Sequence, residues 1–341
     1  MKEKISIVVT SIAAPNEALR ELAQGCIERD YNFIVIGDES SPAEFHIAGC
    51  DFYGLEKQKQ TGLKFAQSCP AKHYARKNIG YLLAIRSGAS VIIETDDDNI
   101  PSREFWSQRQ RIQNAAVISD SGWVNVYQYF SNRNIWPRGF PLEYVRSRTP
   151  DFEMLDRAEI DCPIQQGLAD DNPDVDAVYR LTLPLPQTFR KDRKVALADG
   201  CWCPFNSQNT TWWADAFELL YLPSYCSFRM TDIWRSFIAQ RIAHLNGWSI
   251  LYNSPDMIQK RNEHNLLRDF SDEIPGYLHN GEICDALEAL KLESGVEKIA
   301  DNLKVCYEKL IGMSLIGAEE LKLLDAWLED LKEARRRASD G

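Results

Sequence analysis

The chain has 341 residues, 44% hydrophobic and 26% charged, enough for one large core or two smaller ones. Its 39 Lys and Arg against 50 Asp and Glu give a net charge of −11 without a long basic run, which argues against a general nucleic-acid binder. No run of about 18 apolar residues exists, and acidic residues flank the N-terminal apolar stretch, so neither a membrane span nor a signal peptide is expected. The nine cysteines are scattered, as suits reduced thiols, and a cytoplasmic protein is the expectation.

The apolar run 5–10 (ISIVVT) predicts a strand ending at Ser11, and Pro15 opens a helix that runs to about Arg29. A second run, 33–37 (FIVIG), predicts a strand that ends in Asp38, Ser40, Ser41 and Pro42. A helix is predicted over about 72–88 with Gly88 as its C-cap, then a strand over 90–95. This alternation points to a parallel sheet with covering helices, where ligands bind at the carboxyl ends of the strands. Three polar clusters fall at those ends: Thr10-Ser11, Asp38-Glu39 and Asp96-Asp97-Asp98.

From about 120 to 260 the pattern loosens into Trp-, Tyr-, Pro- and Arg-rich loops, with strand-like pieces in VNVYQYF (124–130) and DAVYRLTL (176–183). A helix is predicted from near Thr231, ending by Gly247. Beyond about 283, Val296, Ile299, Leu303, Cys306 and Leu310 recur at steps of three and four, as do Leu321, Leu324, Trp327 and Leu331. These predict two amphipathic helices in a hairpin, a candidate surface for oligomer formation. The expected organisation is an α/β unit over 1–282, with halves 1–120 and 121–282, and a helical extension over 283–341.

Three adjacent carboxylates after the buried run VIIET (91–95) leave two readings open, a solvated acidic turn or a cation site. If the segment stays extended, Asp96 and Asp98 point one way and Asp97 the other. A divalent cation between two carboxylates removes their repulsion, and Mg²⁺ or Mn²⁺ suits oxygen ligands completed by substrate phosphates. Ser102 is placed to cap a following helix with Glu104 in its first turn. An EF-hand does not fit, because Pro101 and Ser107 stand at the sixth and twelfth positions from Asp96. A haloacid-dehalogenase-like phosphatase fits poorly, since Asn99-Ile100 stands where Gly or Thr is usual. Cys201 and Cys203, with Cys162 and Cys226, match no common zinc spacing.

The blocks ETDDDN (94–99), WPRGFPL (136–142), DNPDVDAVYRLT (171–182), CPFNSQNT (203–210) and FRMTDIWRSFIAQRI (228–242) occur here in one order. On them the chain resembles the STELLO family of glycosyltransferases and, more remotely, the plant reversibly glycosylated polypeptides, which are UDP-arabinopyranose mutases. The resemblance covers about 150 residues and leaves the helical tail outside. It implies a GT-A-type, Rossmann-like mixed sheet flanked by helices. It also implies metal-dependent transfer of sugar from a nucleotide-sugar donor, UDP-linked, to a carbohydrate or glycolipid acceptor. Known STELLO proteins are membrane-anchored, so this chain looks like a soluble version.

By that resemblance Thr10 and Ser11 lie near the base, and Asp38 binds base or ribose. Asp96 and Asp97 face the donor, and Asp96, Asp98 and the late His264 hold Mn²⁺ or Mg²⁺, with His73 as the second histidine candidate. Arg76, Lys77 and Asn78 meet phosphate, Arg138 meets the diphosphate or the sugar, and Asn206 and Gln208 bond sugar hydroxyls. Asp232 is the acceptor-side base, which implies inversion. Trp202, Trp212 and Trp213 are read as core, with sugar stacking the alternative. Asn172-Pro173-Asp174 stands where the mutases carry their self-glycosylated arginine, which disfavours mutase activity. A non-catalytic nucleotide-sugar-binding scaffold that partners other glycosyltransferases is the rival reading.

Overall fold

The structure, a computed structural model, describes residues 3–262 and 265–340. Its strands in chain order are β1 (Ile5–Thr10), β2 (Asn32–Ile36), β3 (Asp51–Tyr53), β4 (Val91–Thr95), β5 (Asn99–Pro101), β6 (Ile112–Ile118) and β7 (Gly122–Trp123). There follow β8 (Arg157–Asp161), β9 (Ile164–Asp170), β10 (Lys194–Leu197), β11 (Cys201–Trp202), β12 (Asn209–Trp213) and β13 (Ile250–Gln259). The α-helices are α1 (Glu17–Arg29), α2 (Leu55–Lys59), α3 (Lys64–Ser68), α4 (Lys77–Arg86) and α5 (Tyr127–Phe130) in the first part. The rest are α6 (Ala177–Thr182), α7 (Thr231–Leu245), α8 (Leu266–Glu288), α9 (Ile299–Gly312) and α10 (Glu320–Asp340).

One mixed sheet runs β3-β2-β1-β4-β12-β9-β13-β10-β6-β8, with β5 added on β13 and β7 pairing β11 apart from it. β1 is parallel to β2 and β4, and β9 is parallel to β13. β12 lies antiparallel between β4 and β9 and joins these two parallel groups. The carboxyl ends of β1, β2, β4, β9 and β13 therefore share one edge with the start of β12. The α/β class with helical flanks agrees with the sequence expectation.

Alternation along the strands sorts side chains to two faces. Val8, Ile34, Ile36 and Ile92 join one buried cluster with α4 and the C-terminal helices. Ile7, Val9, Val35 and Ile93 join the other with Leu19, Leu22 and Cys26 of α1. Asn16 caps α1 by accepting from the Leu19 N–H at 3.0 Å. Gly80 lets α4 approach β1, since a Cβ there would lie 2.5 Å from Val8 Cγ1.

Several boundaries and types differ from the sequence reading. Residues 124–130 end in the short helix α5 instead of a strand. The 176–183 piece forms α6, because Asp176 accepts from the Tyr179 N–H at 2.7 Å and so caps a helix that local β-propensity opposed. The helix expected over 72–88 is a 3₁₀ turn, 74–76, followed by α4. The turn after Ser102 is a 3₁₀ segment at 104–106, with the Ser102 hydroxyl accepting from the Glu104 N–H at 3.2 Å.

The boundary expected at 282 falls inside α8. The helical extension shares the main core: Leu303, Cys306, Leu310, Leu324, Trp327 and Leu331 are buried in the same cluster as α4. Trp327 packs against Phe65, Tyr81 and Tyr221 at ring-centroid distances of 6.5, 6.5 and 6.0 Å. Those apolar stripes are thus engaged within the chain. No helix among the described residues is long and apolar enough to cross a membrane. Because the extension and the sheet share one core, Trp327→Ala should cost about 3–5 kcal/mol in a single cooperative urea transition. A separate early transition that leaves the main one unmoved would refute this.

Candidate functional site

The end of β4 turns immediately. The Asn99 N–H donates to the Asp96 carbonyl at 3.3 Å, and the Asn99 amide donates to Thr95 Oγ1 at 3.1 Å and to the Gln208 carbonyl at 2.7 Å. In this turn the strict alternation expected of an extended segment is lost. Asp96, Asp97 and Asp98 all border one cavity of about 260 Å³.

Each carboxylate has its own partner. The buried Lys77 ammonium donates to Asp96 at 3.0 Å and to the Ser207 carbonyl at 3.2 Å. Ser11 donates its hydroxyl to Asp97. Asp98 accepts from Gln259 Nε2 at 3.2 and 3.3 Å and from the Asn262 N–H at 3.2 Å. Burial, with repulsion from Asp98 and Asp97, raises the Asp96 pKa to about 6 against the pull of Lys77. The Asp96 side chain keeps 38% exposure, but that surface borders the cavity, where hydration is poorer than in open solvent.

This arrangement fits a divalent cation. Asp96 uses only Oδ1 toward Lys77, and crowded carboxylates that bind protons too tightly are the condition a cation relieves. No group of three or more His, Cys, Asp or Glu that could hold a metal ion is found among the described residues. His264 lies outside the described residues.

A second cavity of about 320 Å³ adjoins the first and is bordered by Ser11, Gly37, Asp38 and His73. Thr10, Tyr74, Asp97, Phe228 and Asn262 border both. His73 and Tyr74 stack at 5.6 Å, and Phe228 meets both edge-on at 5.2 and 5.0 Å. Asp38 accepts from the His73 N–H at 3.0 Å. His73 Nδ1 accepts from the Ala75 N–H at 3.1 Å, and burial lowers its pKa to about 4, so the ring is neutral with its proton on Nε2.

Four of the expected site residues serve the fold first. Arg76 borders the second cavity, but its guanidinium is engaged by Gln58 Oε1 at 2.9 Å and the Cys69 carbonyl at 2.8 Å. Asn78 clasps the Leu222 backbone at 2.8 and 2.9 Å, and Asn206 accepts from the Gln208 N–H at 3.0 Å. Gln208 itself borders the first cavity. Arg138, the fourth, sits between two aspartates. It reaches Asp174 at 2.9 and 2.7 Å and Asp232 at 3.0 and 2.9 Å. Trp202, Trp212 and Trp213 are buried and donate to Glu288, Glu94 and Glu3, which makes them core residues.

Asp232 also accepts from the Ser207 N–H at 3.1 Å and the Tyr74 hydroxyl at 3.1 Å. Burial would raise its pKa, but the charge and fork of Arg138 outweigh that and hold it well below the carboxylate range. Asp174 is held below its ordinary value in the same way.

A family model described as STELLO glycosyltransferases matches residues 229–339. Two Arabidopsis thaliana proteins, "Probable glycosyltransferase STELLO2" and "Probable glycosyltransferase STELLO1", are each 29% identical over 352 residues, covering 95% of this chain and 44% of theirs. Over these spans the chain is similar to STELLO glycosyltransferases. It spans less than half the length of those curated relatives. A crystal structure described only as that of a mycobacterial protein matches with 11% identity and a TM-score of 0.39, covering 82% of this chain and 75% of that one.

The STELLO-like match includes α9 and α10, so the expectation that the resemblance stops before the helical tail is corrected. Sequence reasoning also missed Arg229, Arg261, Gln259 and Asn262, which border the aspartate cavity. Arg229 stood inside the FRMTDIW block three residues before Asp232, Gln259 ends β13, and Arg261 and Asn262 follow that strand, which is not among the elements predicted from sequence.

Removing Arg138 strands two buried carboxylates. Arg138→Gln should cost about 3–5 kcal/mol at pH 7. In the wild type the two depressed pKa values contribute stability that is complete above about pH 4 and lost as pH falls below it. The variant's freed carboxyls protonate more readily, so its deficit should shrink between pH 7 and pH 4. Urea unfolding at both values checks this, and a constant deficit contradicts it.

Proposed function

We propose that this STELLO-like chain is a glycosyltransferase of the GT-A type that moves a sugar from a UDP-linked donor to an acceptor hydroxyl, with Mn²⁺ or Mg²⁺ as cofactor. The observation that carries this reading is the two-chambered cleft at the strand edge, with the three aspartates bordering the polar chamber and Asp97 at its junction with the other. The aromatic chamber with Asp38 and the His73 Nε2–H suits a base and ribose. The polar chamber suits a diphosphate and sugar. The matched family description and the names of the two relatives support the same activity.

A cation held by Asp96 and Asp98 supplies neutralisation of charge on the leaving diphosphate. Lys77 keeps Asp96 ionised and fixes its orientation toward the chamber. Asp232, beside Ser207 and across from the aspartates, is the acceptor-side carboxylate. With the Arg138 fork in place it is a structural anion, and it serves as base only once that fork withdraws toward Asp174. The same pair favours the rival reading, a nucleotide-sugar binder without a working base.

Calorimetry of UDP and GDP with and without Mn²⁺, on wild type and Asp98→Asn, tests the donor site. UDP should bind only with metal, and Asp98→Asn should weaken it at least about tenfold, or about 1.4 kcal/mol. No binding of either nucleotide with metal present would overturn the proposal. Metal-dependent UDP binding together with absent sugar transfer across a donor and acceptor screen would favour the scaffold.

A further inference from the structure

Of the three cations that border the polar chamber, two have a carboxylate within 3.0 Å. Arg138 meets Asp174 at 2.7 Å, and Arg229 meets Glu273 at 2.9 Å. Arg261 is the exception among the described residues, with Asp269 at 4.0 Å. Its side chain is only 10% exposed, and its buried Nε–H has no hydrogen-bond partner. A guanidinium taken out of water without a close counter-ion or full hydrogen bonding is costly, so the site is incomplete as it stands.

Its surroundings add to the excess of positive charge. Arg180, held by the Pro173 carbonyl at 2.9 Å, and Arg229 lie close enough to act on it electrostatically. Burial first, then the neighbouring guanidiniums, lowers the Arg261 pKa and brings that of Arg180 to about 9. The negative groups facing Arg261 are Asp174, Asp269 and Asp98, of which Asp174 is already bound to Arg138.

We propose that Arg261, flanked by Arg229, seats an oxyanion, a phosphate or a carboxylate, and that this group belongs to the acceptor. The proposal rests on the transferase reading and deepens it by naming the acceptor class, an acidic or phosphorylated molecule. Arg229 and Arg261 border the polar chamber and are not among the residues bordering the aromatic one assigned to the nucleoside. Arg229 also lies three residues before Asp232, on the acceptor side. The donor diphosphate is the other source of the same chemistry, and the experiment separates the two.

Inorganic phosphate is titrated by calorimetry into the intact protein, free and saturated with UDP and Mn²⁺, for wild type, Arg261→Gln and Arg229→Gln. Circular dichroism and UDP affinity report that each variant is folded. Phosphate should bind the UDP-loaded wild type, and Arg261→Gln should weaken it at least about tenfold while UDP affinity stays within about twofold. If UDP expels phosphate, or if Arg261→Gln weakens UDP as much as phosphate, the guanidinium serves the donor and the acceptor assignment is wrong. If phosphate binding is absent or indifferent to both arginines, there is no seat. If UDP does not bind at all, the transferase reading and the acceptor assignment fall together. The titration of free protein then still decides whether Arg261 holds an anion.

Discussion

The cleft depends on one buried ion pair. Glu94 of β4 and Arg235 of α7 meet at 2.8 Å with 0% and 1% side-chain exposure. Trp212 Nε1 at 2.9 Å and the Tyr81 hydroxyl supply the remaining hydrogen bonds to Glu94. Desolvation offsets most of the attraction in such a pair, and Arg235 Nε is left without a hydrogen-bond partner. Here it fixes geometry. Glu94 lies two residues before Asp96, and Arg235 three residues after Asp232. The two lips of the cleft are therefore held together by a contact that borders neither chamber.

Around that anchor, charge is balanced locally. Lys77 answers Asp96, Arg138 answers both Asp174 and Asp232, and Glu273 answers Arg229 while accepting from the Ala177 N–H. Imbalance is left at two neighbouring places bordering the polar chamber, the crowded aspartates and Arg261. The aspartates bind protons too tightly and so suit a cation. Arg261 is a guanidinium short of a partner and so suits an anion. A substrate that brings both would relieve both.

The sequence made the strand edge legible because buried parallel strands are continuous apolar runs with polar residues at their ends. That is why Thr10, Ser11, Asp38 and the three aspartates were found together. Spacing could not tell which polar side chains face inward. Arg76 and Asn78 each lie one position from Lys77, yet they hold Gln58 and the Leu222 backbone while Lys77 reaches Asp96. The α6 segment was misread because β-branched residues outweighed a single capping aspartate in the pattern, whereas in the fold the cap and tertiary packing decided it. Arg261 escaped notice because isolation from a counter-ion is a property of three-dimensional surroundings.

The shared core has a consequence for what counts as a unit. The stretch recognised by the family description, 229–339, contains α7, α8, α9 and α10, but their apolar sides rest on α3, α4 and the sheet from the other end of the chain. Excised, that stretch would present Trp327, Leu324 and Leu310 to water. The stretch that the family description matches is thus a marker of kinship that leans on the rest of the chain for its burial, while the two relatives match nearly all of it.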